Sequence, residues 1–266
     1  MSCEKIIIGS ANFASEYGYN RDKVVDHYEL ALALKKAKIN SIDSAVEYKC
    51  QHILRKYYAD FEIDTKVSYE TVSMDTLGDV VEKFIDDCHL SKIRTLYVHD
   101  AWNIPQNQYC GFVEKLQELR QRELIDEVGL SIYWDQLNYD LSNIDRIQVP
   151  FSIMHGKALK YIKNFKKTDI KITIRNIFLQ GRLLKKNDYE YFSTLEEKDI
   201  VRSKVKPESY GKRLRTALSI LNKNEIDNVI LGIDNPSHIR DILRNSNIDK
   251  PDFFQIDLPL LDPRNW

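Results

Sequence analysis

Four side chains with complementary acid–base chemistry stand in order along the chain: Asp43, Tyr48, Lys66 and His99. Asp43 and Tyr48 share the run Ser41-Ile42-Asp43-Ser44-Ala45-Val46-Glu47-Tyr48. Lys66 follows in Ile63-Asp64-Thr65-Lys66-Val67, and His99 in Leu96-Tyr97-Val98-His99-Asp100. A buried lysine beside an aspartate stays charged, and a phenol beside that ammonium has its phenolate form favoured. Such a tyrosine is a proton donor to a carbonyl oxygen near neutral pH. A histidine next to it can orient or polarise the same oxygen. The quartet suits carbonyl reduction, in which hydride reaches carbon and a proton reaches oxygen. Each residue alone has a plainer reading. Asp43 could cap a helix, Lys66 could be structural, and His99 could be a satisfied core histidine. The order of all four favours chemistry.

Such groups work only if the elements before them end at one surface. Short apolar runs predict strands at Ile6–Ile8, Ile39–Ile42, Phe61–Val67, Thr95–Val98, Ile125–Leu130, Arg146–Val149, Ile170–Ile174 and Asn228–Leu231. Amphipathic stretches predict helices at Lys23–Lys36, Glu47–Tyr58, Thr76–Cys88 and Tyr109–Arg122. Further helices are predicted at Trp134–Tyr139, Ala158–Asn164, Ser209–Leu221 and Ser237–Leu243. In the first of these helices, Val24, Val25, Tyr28, Leu30, Ala31, Leu32 and Leu34 are read as one apolar side. Eight strands alternating with helices imply a parallel sheet, and this length suits a single-domain (β/α)8 TIM barrel over residues 1–266. An open doubly wound sheet is the alternative. It is disfavoured because GSANFASEYG, not a GxGxxG turn, follows the first strand, and no Walker-type phosphate loop is present. In a barrel, Asp43, Lys66 and His99 end three neighbouring strands at the C-terminal rim, and Tyr48 leans back over it.

Composition narrows the class further. The chain has 266 residues, 43% hydrophobic and 30% charged, enough to bury a core without staples. The formal charge of −1 offers no basic field for nucleic acid, so Lys160–Lys171 and Arg202–Arg215 read as solvated faces. Cys3, Cys50, Cys88 and Cys110 show no CxxC spacing and read as free thiols in a reducing compartment. With no apolar leader in MSCEKIIIGS and no run of membrane-span length, a cytoplasmic location is expected. His27, His52, His89, His99, His155 and His238 show no HxH, HExxH or HxxxH spacing, so no metal is expected. The charged segment Lys185–Pro207 reads as a long functional loop, and Pro259–Trp266 as a surface extension.

The sequence resembles the aldo-keto reductases from Ile6 to about Leu243. The pieces that carry the likeness are GSANFASEYG, INSIDSAVEY, IDTKV, IRTLYVHD, ELIDEVGLSIYW, DRIQVPFSI, RNIFLQGRLL and NVILGIDNPSHI, in family order and spacing. The resemblance implies an NAD(P)H-dependent oxidoreductase with Tyr48 as general acid, Lys66 and Asp43 tuning it, and His99 placing the carbonyl. It implies that Ser131 and Gln148 hold the nicotinamide carboxamide, where Ile132 replaces the family's asparagine. Phe178 is implied to stack on the nicotinamide ring, with Gln180, Gly181, Gly232, Asn235 and His238 as further cofactor contacts. His238 and Gly232 occupy the positions of the arginine and lysine that clamp the adenosine 2′-phosphate in the family. NADP(H) is the expected cofactor, with NAD(H) a serious alternative.

Two other readings compete. One is an aldolase or lyase using Lys66 as a Schiff-base nucleophile. The other is a redox-silent nucleotide-binding subunit on the same fold. The substrate is expected to be a small carbonyl compound, sugar derivatives included. Its pocket would be built from Ala11–Tyr19, Ala101–Gln108 and Leu183–Pro207, with Phe13, Tyr17, Tyr69 and Trp102 as apolar walls.

Overall fold

The computed structural model describes residues 3–14, 24–134, 140–165, 168–184, 210–222 and 225–245, without the side chains of Lys157 and Arg182. Eight parallel strands close into a barrel in sequence order: β1 (Ile6–Gly9), β2 (Ser41–Asp43), β3 (Glu62–Val67), β4 (Ile93–Val98), β5 (Ile125–Ser131), β6 (Arg146–Pro150), β7 (Lys171–Arg175) and β8 (Asn228–Gly232). β1 pairs with β8 from Ile6↔Val229 to Gly9↔Gly232, which closes the ring. Among the described residues seven helices follow these strands: α1 (His27–Ala37), α2 (Gln51–Tyr57), α3 (Leu77–Cys88), α4 (Gln106–Gln121), α5 (Leu159–Phe165), α6 (Tyr210–Leu218) and α7 (Pro236–Asn245). The TIM-barrel expectation holds.

Alternation along each strand separates two environments. Ile42, Leu96, Val98, Val128, Leu130, Ile172 and Ile174 are fully buried in the apolar core. The other face turns inward and carries buried polar groups: Asp43, Asp64, Lys66, Thr95, Ser131, Gln148 and Thr173. Tyr97 crosses the barrel, its hydroxyl donating to Thr173 Oγ1 at 3.3 Å. Its paired residue is Gly129, where an added Cβ would sit 2.4 Å from the Tyr97 ring. Glycine is the residue that leaves room for that ring.

The helices start where local caps decide. α3 buries Leu77, Val81, Phe84, Ile85 and Cys88, one stripe at helical spacing. α1 starts at His27 rather than Lys23, because Asp26 accepts from the Glu29 N–H at 3.0 Å and caps it there. Val24 therefore lies outside the helix and is exposed, as are Tyr28 and Leu32. The expected helix Glu47–Tyr58 is two elements. A single 3-10 turn spans Val46–Tyr48, Lys49 turns left-handed at φ 54°, and only then does α2 begin. Residues 135–139 of the expected fifth helix, 185–207 of the long loop, Tyr17 and the tail 259–266 lie outside the described residues. Among the described residues no helix is long and apolar enough to cross a membrane.

Candidate active site

The sequence-predicted quartet converges at the C-terminal rim. Lys66 Nζ donates to Asp43 Oδ2 at 2.6 Å and to the Ser44 carbonyl at 2.7 Å. Both partners of this ion pair are buried. Burial pushes the Asp43 carboxyl upward, opposed by the Lys66 charge and by the bonds from Lys66 and Gln148. Lys66 Nζ also lies 5.6 Å from the centre of the Tyr48 ring. The Tyr48 and His99 rings meet edge to face, 6.3 Å apart and 85° inclined. A phenol, an imidazole and an ammonium thus cluster at the barrel mouth.

His99 is held well below the usual imidazole range, from 6.5 to about 4. Burial is the main cause, then the Lys66 and Arg175 charges, against the pull of Asp100. An unfolded chain takes up this proton near 6.5, the folded chain only near 4. The folded state thus has this contribution in full above that upper value and loses it as pH falls toward the lower one. We expect the denaturant midpoint to fall through this window, and to fall less steeply in His99→Gln. Equal slopes in the two proteins would show that His99 is not buried in its neutral form.

One loop holds the neighbours of both Tyr48 and His99. The Ser68 N–H donates to Glu47 Oε1 at 2.9 Å, and Ser68 Oγ donates to Asp100 Oδ2 at 2.6 Å. The Tyr69 N–H donates to Asp100 Oδ1 at 2.7 Å. Glu47 precedes Tyr48 and Asp100 follows His99, so Ser68 braces the two rings through their flanking carboxylates. Sequence reasoning missed this brace, because nothing in the spacing joins residues 47, 68 and 100. Behind Lys66, Ser10, Ser44 and Cys50 form a buried ring of contacts, with Ser10 Oγ donating to Ser44 Oγ at 2.9 Å.

The predicted cofactor residues divide into two groups. Ser131 and Gln148 face each other in register on β5 and β6. Gln148 Nε2 donates to Asp43 Oδ1 at 2.9 Å, which leaves its Oε1 as a free acceptor. Among the described residues four buried side-chain atoms lack a hydrogen-bond partner, and two are Ser131 Oγ and Gln148 Oε1. The other two are Glu47 Oε2 and Thr65 Oγ1. Buried polar atoms are normally paired, so two unpaired atoms on neighbouring strands leave hydrogen-bonding capacity that a ligand could satisfy. A hydroxyl that can donate beside an oxygen that must accept matches a primary carboxamide. Ile132, where the resemblance implied a third polar group, is fully buried and apolar.

The second group lies beyond β7 and β8, in one sector of the rim. Leu179, Gln180 and Gly181 follow one another in left-handed conformation, at φ 48°, 57° and 88°. Phe178 precedes them, half-buried and packed against the hydrophobic core. Gly232 ends β8, and among the described residues no atom lies within 4 Å of where a Cβ would stand. Asn235 Oδ1 accepts from the Ser237 N–H at 2.9 Å, and His238 Nδ1 lies 3.0 Å from Asp234 Oδ1. Among the described residues no group of three His, Cys, Asp or Glu side chains is placed to hold a metal ion.

Comparison with known proteins agrees with this architecture. A model of the aldo/keto reductase family matches residues 5–258. A thermostable aldo-keto reductase solved with the inhibitor epalrestat is similar at 18% identity, over 92% of this chain and 90% of that one, with a TM-score of 0.67. The holo form of an aldo-keto reductase from Bacillus halodurans is similar at 15% identity, over 92% and 87%, also with a TM-score of 0.67. An aldo-keto reductase from a Medee basin deep-sea metagenome library reaches 16% identity over 98% and 89%, with a TM-score of 0.64. Likeness this distant shows the fold alone. No match was found among curated proteins. The family match runs unbroken from β1 past β8, through every strand that contributes to the rim, and the chain therefore belongs to the aldo/keto reductase family.

Proposed function

We propose that the chain is a nicotinamide-dependent carbonyl reductase, converting an aldehyde or ketone, sugar derivatives included, to the alcohol. The observation that carries this reading is the pair of orphaned atoms, Ser131 Oγ and Gln148 Oε1, on the same inner face as the Lys66–Asp43 pair. Ser131 and Gln148 would hold the carboxamide, and Gln148 is tied to Asp43 by the hydrogen bond its amide N–H donates. The bound nucleotide supplies the hydride. Tyr48 gives its proton to the carbonyl oxygen, and Lys66 stabilises the phenolate left behind. Neutral His99 donates a hydrogen bond that orients the same oxygen. Phe178, Gln180, Gly181, Gly232, Asn235 and His238 are proposed as further cofactor contacts on the strength of the resemblance. Titration of the purified protein with NADPH and NADH, followed by turnover on a carbonyl panel, tests the reading. No binding of either nucleotide would defeat it.

The Schiff-base alternative fits less well. An amine attacks carbon only when uncharged, whereas Lys66 is engaged by a carboxylate and a carbonyl at 2.6 and 2.7 Å.

Cofactor preference is expected to be shallow. Where the family places an arginine, His238 stands against Asp234, whose carboxylate opposes a 2′-phosphate. One missing charge-assisted contact is worth about 1.5–3 kcal/mol. NADPH should therefore be favoured over NADH by less than about a hundredfold. His238→Arg should widen the ratio of kcat/KM values. A preference of many thousandfold in the natural protein would overturn this expectation.

A further inference from the structure

We propose that Arg175 recognises an acidic oxygen group, carboxylate or phosphate, carried by the carbonyl substrate. The proposal rests on the carbonyl-reductase reading and adds the substrate's charge to it. Arg175 is the last residue of β7. Thr173, two residues earlier, points into the barrel, where it meets Tyr97 and Arg146. Strand alternation therefore turns Arg175 to the same side, one layer higher, at the mouth. Pairing with Pro150 on β6 sets it one layer above Gln148.

Three observations describe its surroundings. Its guanidinium lies over the Tyr133 ring, 5.0 Å from the centre, and Tyr133 meets Trp102 at 5.1 Å. Its charge reaches His99 and opposes protonation there. No carboxylate among the described residues pairs with it, although the other two arginines on barrel strands, Arg94 and Arg146, both have such partners. Three carboxylates among the described residues near the mouth have partners of their own. Asp43 is matched by Lys66, Asp100 accepts from Ser68 and Tyr69 at its two oxygens, and Glu47 accepts from Ser68 and Thr71 at Oε1, while its Oε2 has no partner. A guanidinium with no carboxylate partner among the described residues, on an aromatic shelf beside the carbonyl-orienting histidine, is a receptor for an oxyanion, whose two oxygens match the guanidinium fork. An acid group held there sits on the His99 side of the mouth, leaving the substrate's carbonyl end for Tyr48.

The test compares substrates that differ in charge. Succinic semialdehyde against butanal reads the carboxylate, and glycolaldehyde phosphate against glycolaldehyde reads the phosphate. In the natural protein at least one acidic member should exceed its neutral partner in kcat/KM by about ten- to a hundredfold. Which pair shows it identifies the oxyanion. In Arg175→Met the ratio should collapse toward one, and Arg175→Lys should recover part of it. A ratio near one for both pairs in the natural protein overturns the proposal. So does a ratio that survives Arg175→Met, even if all rates fall together. Ligand-observed NMR of γ-hydroxybutyrate and inorganic phosphate against butanol, with the nucleotide present, provides a readout independent of turnover. Binding of an anion that is lost in Arg175→Met supports the site, and equal binding in both proteins overturns it. Absence of turnover on every carbonyl would instead defeat the reductase reading, leaving the binding arm to decide Arg175.

Discussion

Tyr48→Phe is expected to lower turnover by about 10²–10⁴, the usual worth of a positioned general acid. The substitution keeps the ring, so the edge-to-face contact with His99 at 6.3 Å survives. It removes the only proton the side chain can give. Affinity for the nucleotide should stay near its original value, because the proposed carboxamide holders are Ser131 and Gln148. Lys66→Met should cause a similar loss, since the ammonium 5.6 Å from the Tyr48 ring centre is the group proposed to stabilise the phenolate as the proton leaves. The two losses should not add, because both act through one proton transfer. Single-turnover rates of the two single variants and the double variant on several carbonyls check this. Near-normal turnover in Tyr48→Phe would leave Tyr48 an ordinary aromatic on a short turn, and the lyase and binding-subunit readings would move ahead.

Arg94→Met is expected to destabilise the barrel by about 3–5 kcal/mol, because it strands a buried carboxylate. Asp64 is fully buried and is held at both oxygens, by Arg94 Nε at 2.8 Å and Nη2 at 2.5 Å. Arg94 also reaches Ser41 at 2.7 Å and Glu62 at 2.8 Å, tying β2, β3 and β4 together. For a domain of this size the loss corresponds to a fall of roughly 6–20 °C in melting midpoint. Removing the stranded charge as well, in Arg94→Met with Asp64→Leu, should recover much of the loss, since a hydrophobic pair can replace a buried ion pair at small cost. Denaturant unfolding of the natural protein and both variants checks the prediction. A single variant as stable as the natural protein would show that water already reaches Asp64.

The barrel was legible in the sequence because its cause is local. Apolar runs such as Ile125–Leu130 and amphipathic stretches such as Thr76–Cys88 alternate, and strict βα alternation leaves few topologies. The order of Asp43, Lys66 and His99 was legible for the same reason. Consecutive parallel strands are neighbours, so residues ending them share a rim. Boundaries were read less well where a single side chain or one backbone angle outweighed the pattern. Asp26 moved the start of α1 past Val24, and the left-handed Lys49 put Tyr48 on its own turn, ahead of α2.

What only the tertiary structure decided is how distant segments satisfy one another. Gln148 spends its amide N–H on Asp43, a partner 105 residues away, and this leaves an acceptor beside Ser131. Ser68 braces the neighbours of Tyr48 and His99 because the β3 loop lies between them. Arg175 carried no signal in the sequence, where it was one more strand-end charge. Its meaning comes from which face of β7 it occupies and from the absence of a carboxylate partner among the described residues. Side-chain type and spacing determine which elements form and in what order their ends meet. Barrel closure and strand register determine which polar atoms are left without partners, and those unmatched atoms are where a ligand can bind.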